Sequence, residues 1–332
     1  MVNYPSTKKK IVDIKKVQFK EINHKQDFFN SLREEYEEFD EWFVKKAEEE
    51  AFIVENNNRL EAMTAYKEEQ EQNQTVLKIR IIKSDVSIYF LEWVIFEAIH
   101  YAIEKDIKKI YFTHFIQKVD KLKEIANTFG FNSDKINQRQ ENVFEKELYY
   151  DSSKDIKSNF PYMIINSNTK FFLIPIRKEY SNALLPKEES PNLFNIIHSS
   201  KEGNAIEKIY VCSSNITTLK QGSLVLFYES KNIKSVVAVG TITKFERISK
   251  KEDFKKYQDR SVFSEEDINK MLKEDTQELL IISFILSSYL NKGLPHYITV
   301  PQSIMELTGE EFKKILEGER TWKLLYLSDQ SI

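Results

Sequence analysis

The sequence predicts a two-domain protein of mixed α+β and α/β class, in which each half is built on a mixed sheet with helices. In residues 77–131 a strand, a long helix, a second strand and a second helix follow one another, the order of an α/β unit. From residue 162 onward, short strands alternate with polar turns and two helices. A chain of 332 residues also exceeds what one hydrophobic core usually serves. We therefore predict a first domain over 1–150, a linker over 151–162 and a second domain over 163–332.

The α/β order rests on four segments of the first half. LKIRII at 77–82 and IKKIYFTHF at 107–115 are rich in β-branched and aromatic residues, which favours strands. IYFLEWVIFEAIHYA at 88–102 is apolar on most faces, which suits a helix packed against a sheet. A further helix stops at Gly130. This order favours parallel strands joined by a crossover, with any ligand near their carboxyl ends.

The flanking segments complete the predicted first domain. Residues 11–19 alternate basic and apolar residues, which predicts a first strand. Apolar residues recur at helical spacing over 28–50 and indicate a helical core face. A hairpin is predicted from 51–54 and 60–67, around an Asn-rich turn, and a last strand over 142–150.

The second half predicts a small mixed-sheet β-barrel with inserted helices. Ser264 and Thr308 are each followed by acids, which is typical of helix starts. Several short strands with inserted helices are typical of a closed barrel. The predicted strands cover 171–176, 205–214, 223–230, 235–248 and 278–290.

The composition argues against several classes of protein. The net charge is −3, so the strongly basic surface of a general duplex-DNA coat is not expected. The single cysteine, Cys212, excludes an internal disulfide, and the five histidines show no metal-ligand spacing, so no metal is predicted. Apolar stretches fall short of the ~20 residues of a membrane span, and no secretory signal is visible. We expect a cytoplasmic protein with no membrane partner, and the sequence predicts no particular oligomeric state.

Phe129-Gly130-Phe131 closes the strand–helix–strand–helix order. This order resembles the second half of a GNAT-type N-acyltransferase, and the resemblance covers residues 12–150. It implies acetyl-CoA as cofactor, with its pyrophosphate at a turn before the long helix. In helix register that turn falls on Val86, Ser87, Ile88, Tyr89, Phe90 and Leu91.

The predicted cofactor turn departs from the family pattern. The family's turn is glycine-rich, whereas all seven glycines of this chain lie at position 130 or later. A helix N-terminus still attracts an anion without glycine, and Ser87 is a suitable cap. The family's frequent tyrosine acid falls on Ala126.

His114 and Thr113 are the candidate catalytic residues. They stand at the carboxyl end of the strand IYFTHF, where α/β proteins place working residues. Histidine changes its protonation near neutral pH, so His114 is the candidate for moving the proton of an attacking amine. His100, inside the long helix, is interpreted as a core residue.

The segments GNAIEKIYVCSS, GSLVLFYES, VVAVGTITKFERI, RSVFS and PQSI follow one another in the second half. Their order and spacing resemble the PUA-like superfamily, which includes ASCH and EVE domains, although the ASCH fingerprint Gly-x-Lys-x-x-Glu-x-Arg is not present as such. The resemblance implies RNA or a modified nucleotide bound at the barrel mouth.

A nucleotide pocket needs aromatic platforms, polar partners for the base edge and cations for phosphate. Phe227 and Tyr228 are neighbours on one strand, so only one of them can face the lumen. The candidate nucleotide-binding residues are Asn204, Lys208, Tyr210, Tyr228, Ser230, Arg260, Gln302 and Ser303.

Two functions of different class follow from these patterns. One is an acyltransferase fused to a nucleotide-binding domain and acting on or near nucleic acid. The other is a non-enzymatic nucleic-acid-binding protein whose GNAT-like half is a degenerate scaffold. Binding of acetyl-CoA separates the two.

Overall fold

The structure is a computed structural model. It describes residues 14–56, 58–84, 88–115, 120–185, 206–230, 234–274, 278–319 and 323–327. The described chain forms two compact units, and the boundary between them falls between Leu148 and Tyr149. Each unit contains its own large mixed sheet with helices, so the predicted α+β architecture is confirmed. The function of each predicted domain stays a prediction.

The first unit is a seven-stranded sheet with four α-helices among the described residues. The strand order is β1-β2-β3-β4-β5-β7-β6. Strands β4 and β5 pair in parallel, with α3 between them in sequence, as predicted. In chain order the elements are β1 (Ile14–Gln18), α1 (Asn30–Glu35), α2 (Phe39–Lys45), β2 (Glu50–Asn56), β3 (Arg59–Glu71), β4 (Gln74–Ser84), α3 (Ile88–Glu104), β5 (Lys109–Phe115), α4 (Asp120–Thr128), β6 (Asn132–Ile136) and β7 (Glu141–Glu147).

Helix α4 ends at the predicted glycine. Gly130 has a positive φ of 76°, and the amide of Phe131 donates to the carbonyl of Ala126 at 2.9 Å. This closure is common where glycine follows a helix. Phe129 and Phe131 are both buried, so the Phe-Gly-Phe sequence both stops the helix and anchors its end in the core.

The helical region predicted over 28–50 is interrupted. Helix α1 ends at Glu35, Tyr36 adopts an extended backbone with φ −134° and ψ 101°, and α2 begins at Phe39. The apolar spacing was nevertheless informative, because Phe29, Phe39 and Phe43 all lie in one core cluster. The structure thus divides this region into two helices, and the interruption turns Tyr36 out of the helical register.

Strands β3 and β4 form a longer hairpin than predicted. Their connection, Gln72 and Asn73, has positive φ values of 46° and 68°, the signs required by a type I′ turn. Such a turn matches the twist of paired strands. The predicted strands over 60–67 and 77–82 are thus parts of one hairpin.

Residues 151–162, predicted as a linker, form a hydrogen-bonded loop. The buried side chain of Asn159 donates from Nδ2 to the carbonyl oxygens of Asp151, Lys154 and Asp155 at 2.9, 3.0 and 3.1 Å. Phe160 is buried beside it. One buried amide thus organises a stretch that has no periodic pattern.

The second unit is built on a six-stranded sheet in the order β10-β13-β12-β11-β9-β14. Strands β9 and β11 are parallel, and β8 and β15 form a separate parallel pair. The elements are β8 (Met163–Ile165), β9 (Phe171–Ile176), α5 (Lys178–Leu184), β10 (Glu207–Cys212), β11 (Leu224–Glu229), β12 (Ser235–Ile248), α6 (Glu265–Glu274), β13 (Leu279–Gly293), β14 (Met305–Leu307), α7 (Gly309–Leu316) and β15 (Leu325–Leu327).

The predicted strands and helices of the second half are present, but the sheet is not a closed barrel within the described strands. Strands β10 and β14 stand at its two edges, and no described ladder joins them. Both predicted helix caps form: the amide of Asp267 donates to Ser264 Oγ at 3.1 Å, and that of Glu311 donates to Thr308 Oγ1 at 3.2 Å. Residues 251–260, between β12 and α6, form a 3₁₀ helix.

Gly240→Ala tests the close packing of β12 on β13. A Cβ at Gly240 would lie 2.4 Å from the carbonyl oxygen of Ile285 and 2.9 Å from a ring carbon of Phe284. We expect this substitution to lower the unfolding free energy of the second unit by about 1–3 kcal/mol, measured by chemical denaturation. Gly293→Ala is the matched control, because its Cβ would meet no atom within 4 Å. Equal stability of the two variants would contradict the packing described.

Candidate functional site

The parallel strands β4 and β5 separate soon after they meet. Their ladder joins Val76, Leu77 and Lys78 to Lys109, Ile110 and Tyr111. Beyond these residues no described ladder connects the two strands. Strand β4 stays paired with β3 as far as Ser84, and β5 stays paired with β7 as far as Phe115. Each strand is therefore held on its outer side while a gap opens between them.

A cavity of about 720 Å³ occupies this gap. On β4 it is lined by the consecutive residues 78–81, and on β5 by Thr113 and His114. Consecutive residues of a strand point to opposite faces of a sheet. A cavity lined by consecutive residues of both β4 and β5 therefore reaches between the strands and is not confined to one face of the sheet.

A β-bulge in β4 lies at this cavity. Opposite Thr64, β4 has one residue too many, because Met63 pairs with Lys83 and Ala65 pairs with Arg80. Ile81, one of the extra pair, has a φ of 52°, a left-handed conformation that a β-branched residue adopts at a cost of roughly 1–3 kcal/mol. Thr64 Oγ1 donates to the carbonyl of Arg80 at 3.2 Å. The bulge re-aims β4 where the gap opens.

Tyr36 crosses from the α1–α2 connection to β7 and closes one side of the cavity. Its hydroxyl donates to Glu141 Oε1 at 2.6 Å. Asn137 Nδ2 donates to Glu141 Oε2 at 2.6 Å, and the amide of Glu141 donates back to Asn137 Oδ1 at 3.0 Å. Glu141 is 4% exposed, so a buried carboxylate lines the cavity with both oxygens hydrogen-bonded.

Charged and aromatic groups continue along the β4 wall. Arg80 donates from Nη1 to Glu49 Oε2 at 3.2 Å and lies over the Trp42 ring, 5.8 Å from its centroid. Lys78 Nζ lies 5.3 Å from the centroid of Tyr111. The Arg80 charge is thus compensated by a carboxylate and a ring face.

The hydroxyl of Tyr111 donates to Glu69 Oε2. Burial and this hydrogen bond raise the pKa of Tyr111 above its ordinary value. Burial opposes ionisation of Glu69, but hydrogen bonds from Lys67 and Tyr111 outweigh it and hold the pKa of the Glu69 carboxyl below its ordinary value. The pair therefore consists of a neutral phenol and a carboxylate at neutral pH.

The structure places both predicted catalytic residues at the cavity. Thr113 and His114 line it, and His114 stands opposite Asn142 in the β5–β7 ladder. The predicted cofactor turn is only partly described: Val86 and Ser87 lie outside the described residues. Backbone of Ile88, Tyr89, Phe90 and Leu91 forms the start of α3.

Sequence reasoning missed Tyr36, Ile81, Arg80 and Glu141. The interruption of apolar spacing at Tyr36-Glu37-Glu38 was the available signal for the α1–α2 break. The bulge at Ile81 and the burial of Glu141 depend on strand register, which the sequence does not display. Whether each of these residues reaches the cavity depends on tertiary contacts.

The predicted nucleotide-binding residues of the second unit do not form one pocket. Lys208, Tyr210 and Tyr228 are buried, with exposed fractions of 0%, 8% and 2%. Tyr210 packs edge-on against Phe227, with 5.7 Å between ring centroids, and donates its hydroxyl to the carbonyl of Pro175 at 2.9 Å. Tyr228 points to the opposite face of β11 from Phe227. Both faces of β11 are covered, so neither Tyr210 nor Tyr228 exposes its ring for stacking in this structure.

The other members of that set are scattered. Gln302 and Ser303 are exposed, Ser230 is half-buried, and Asn204 lies outside the described residues. Arg260, also half-buried, ends the 3₁₀ helix and donates from Nη1 to the carbonyl of Glu207 at 3.4 Å.

An exposed aromatic side chain that the sequence reasoning did not select lies on β12. Phe245 is 39% exposed. It stands two residues from Arg247, so both side chains point to the same face of the strand. Arg247 donates to the carbonyl of Ile216 at 2.8 Å and is half-buried.

Two features are absent from the described part of the chain. No helix there combines the length and apolar character needed to cross a membrane. No group of three or more His, Cys, Asp or Glu residues is arranged there to hold a metal ion.

Comparison with known proteins gives similarity of fold kind only. No family model matches the sequence, and no curated protein matches it. Among solved structures, ASCH from Zymomonas mobilis is 15% identical and aligns over 44% of this chain and 94% of its own, with a TM-score of 0.32. A probable acetyltransferase from Staphylococcus epidermidis is 12% identical over 42% of this chain and all (100%) of its own, with a TM-score of 0.31.

A third similar structure is N-acetyltransferase PseH from Campylobacter jejuni in complex with acetyl coenzyme A. It is 16% identical over 41% of this chain and 99% of its own, with a TM-score of 0.28. Values this low identify neither a ligand nor an activity for this chain.

Tyr36→Phe tests the hydrogen bond that closes the cavity. Removing the hydroxyl leaves Oε1 of the buried Glu141 without its donor, which costs about 1–3 kcal/mol. We expect the unfolding free energy of the first unit to fall by that amount in chemical denaturation. Tyr101→Phe is the control within the same unit: its hydroxyl donates to Glu68 Oε1 at 2.8 Å in an exposed position, where water replaces the lost donor, and it should change stability little. An unchanged Tyr36→Phe protein would show that the bond does not form in solution.

Proposed function

We propose that the first unit transfers an acyl group from a coenzyme A thioester to an amine. The observation that supports this most directly is the cavity between the separated ends of β4 and β5, with Thr113 and His114 on its wall. Separated parallel strands leave backbone N–H and C=O groups facing the gap. Such groups suit a narrow, amide-containing ligand that lies along a strand.

Residues of the first unit supply the proton transfer and the orientation that the reaction needs. Acetyl-CoA, when bound, supplies an acyl group activated as a thioester, and the exchange yields an amide and a free thiol. His114 accepts the proton of the incoming ammonium, because histidine is available as a base near neutral pH. The Thr113 side chain points to the opposite face of β5 from His114, and its hydroxyl is a donor for orienting the ligand on that side of the cavity.

The anionic part of the cofactor is assigned to residues 86–91, of which 88–91 begin α3. A helix N-terminus carries unpaired N–H groups and a partial positive charge, so α3, a helix of 17 residues, offers an anion site without glycine. The lack of glycine before position 130 supports the second candidate, a non-enzymatic scaffold that has lost its cofactor.

We further propose that the second unit binds RNA or a modified nucleotide at the face that carries Phe245 and Arg247. An exposed ring supplies a stacking surface, and a nearby guanidinium supplies a cation for phosphate. This proposal replaces the buried Tyr210 and Tyr228 as the stacking platform.

Acetyl-CoA binding tests the transferase proposal. Ligand at ~100 times its dissociation constant should stabilise the binding unit by about 2.7 kcal/mol, measured as a thermal shift of the full chain. His114→Gln should keep this shift and lose thiol release in a panel of amines. No shift with the parent protein would exclude the enzyme. A shift with thiol release unaffected by His114→Gln would remove His114 from the chemistry.

Phe245→Ala tests the nucleotide proposal. Loss of one base stack should weaken single-stranded RNA binding by about tenfold, measured by fluorescence anisotropy at fixed salt. Tyr149→Ala removes an aromatic that is more exposed than Phe245, 57% against 39%, and should leave affinity unchanged. Identical affinities of the two variants, or no RNA binding by the parent protein, would contradict this assignment.

A further inference from the structure

The cavity of the first unit is lined by formal charges of both signs. Three carboxylates line it, from Glu37, Glu38 and Glu141, and three cations, from Lys78, Arg80 and Arg139. A ligand carrying only an ammonium would leave the cations without a partner, and a ligand carrying only an anion would leave the carboxylates. A cavity with balanced charges of both signs favours a ligand that is itself a zwitterion.

Several of these charges are available to a ligand. Arg80 is already paired with Glu49. Within the described residues, by contrast, no ion pair engages Lys78, Arg139, Glu37 or Glu38. Lys78 contacts the Tyr111 ring face, and its charge also helps to hold the pKa of the Glu69 carboxyl below its ordinary value, without a direct ion pair to that carboxylate. The available charges therefore include both signs.

The two signs are separated along the cavity, and β5 gives the distance. Lys78 stands opposite Tyr111 at one end of β5, and Glu141 stands opposite Phe115 at the other. Four residues of a strand span about 13 Å. The bond from Tyr36 to Glu141 brings the adjoining Glu37 and Glu38 to the Glu141 end, where carboxylates outnumber Arg139.

Apolar side chains form part of the cavity wall. Trp42, Phe39, Leu32, Ile79 and Ile81 line it, together with the polar Thr113 and His114. This wall suits the uncharged middle of an extended molecule. An extended chain of three amino-acid residues spans about 10 Å, which fits between the charged ends.

We infer that the acceptor of the first unit is a short zwitterion of peptide-like length, with its amine at the Glu141 end and its anionic group at Lys78. This inference rests on the proposed acyl transfer, because it names the amine that would be acylated. It also places the amine at the end of β5 nearer to His114 than to Lys78.

Calorimetric titration of the full chain without coenzyme A tests this inference, with triglycine as the probe. N-acetyltriglycine lacks the ammonium group, and triglycinamide lacks the carboxylate. We expect each blocked peptide to bind about tenfold more weakly than triglycine or worse. Equal binding of all three peptides, or no binding of triglycine, would overturn the inference.

Two substitutions test which charged residue of the cavity binds each end of the peptide. Lys78→Met should weaken triglycine binding by about tenfold and leave triglycinamide binding unchanged. Glu38→Gln, which changes an exposed carboxylate at the Glu141 end, should weaken triglycine binding and leave N-acetyltriglycine binding unchanged. Lys135→Met, which removes an exposed cation outside the cavity, is the control and should change neither. If Lys78→Met weakens all the peptides equally, the anionic group does not bind there.

The triglycine titration and the acetyl-CoA thermal shift can succeed or fail independently. Triglycine binding without any acetyl-CoA shift would keep the zwitterion site and remove the proposed transfer. An acetyl-CoA shift without triglycine binding would keep the transfer and overturn this acceptor.

Discussion

The structure of the first unit depends on one parallel contact that is interrupted after three residue pairs. Strands β4 and β5 are joined at 76–78 and 109–111, and each is then held by an antiparallel neighbour that follows a different path. The left-handed residue at Ile81 fixes the departure of β4, since a bulge bends its strand. Unpaired backbone in the interior of a sheet is costly, so a ligand or solvent must satisfy the groups that face the gap.

The sheet of the second unit differs, because the aromatic residues of β11 are packed in its core. All six residues of β11 are buried, and Phe227 packs against Phe284 with ring centroids 4.6 Å apart. On the other face of β10 and β13, the 3₁₀ helix and α6 cover a separate cluster that includes Phe254 and Ile268. Because both faces of β11 are covered, Phe227 and Tyr228 lie in the core, which is why the aromatic residues of this strand were poor indicators of a stacking surface.

Local signals predicted local structure well. The Phe-Gly-Phe helix stop, the caps at Ser264 and Thr308, and the long strands of the second half depend on neighbouring residues, and the structure contains them. The site was less accessible to sequence reasoning. His114 could be selected because a strand end is a local feature, whereas Glu141 lines the same cavity only because β7 pairs with β5 in one particular register. Tyr36 reaches it across 105 positions of sequence.

The lack of glycine before position 130 bears on only one part of a coenzyme A site. Glycine allows backbone to approach a pyrophosphate closely, but the gap between β4 and β5 is produced by strand divergence and a bulge at an isoleucine, neither of which needs glycine. Binding of a thioester arm and binding of its anionic end are therefore separable in this fold. Under the proposed acyl transfer, such a chain would keep the first while weakening the second, and its affinity for the whole cofactor would depend on how much free energy the gap contributes.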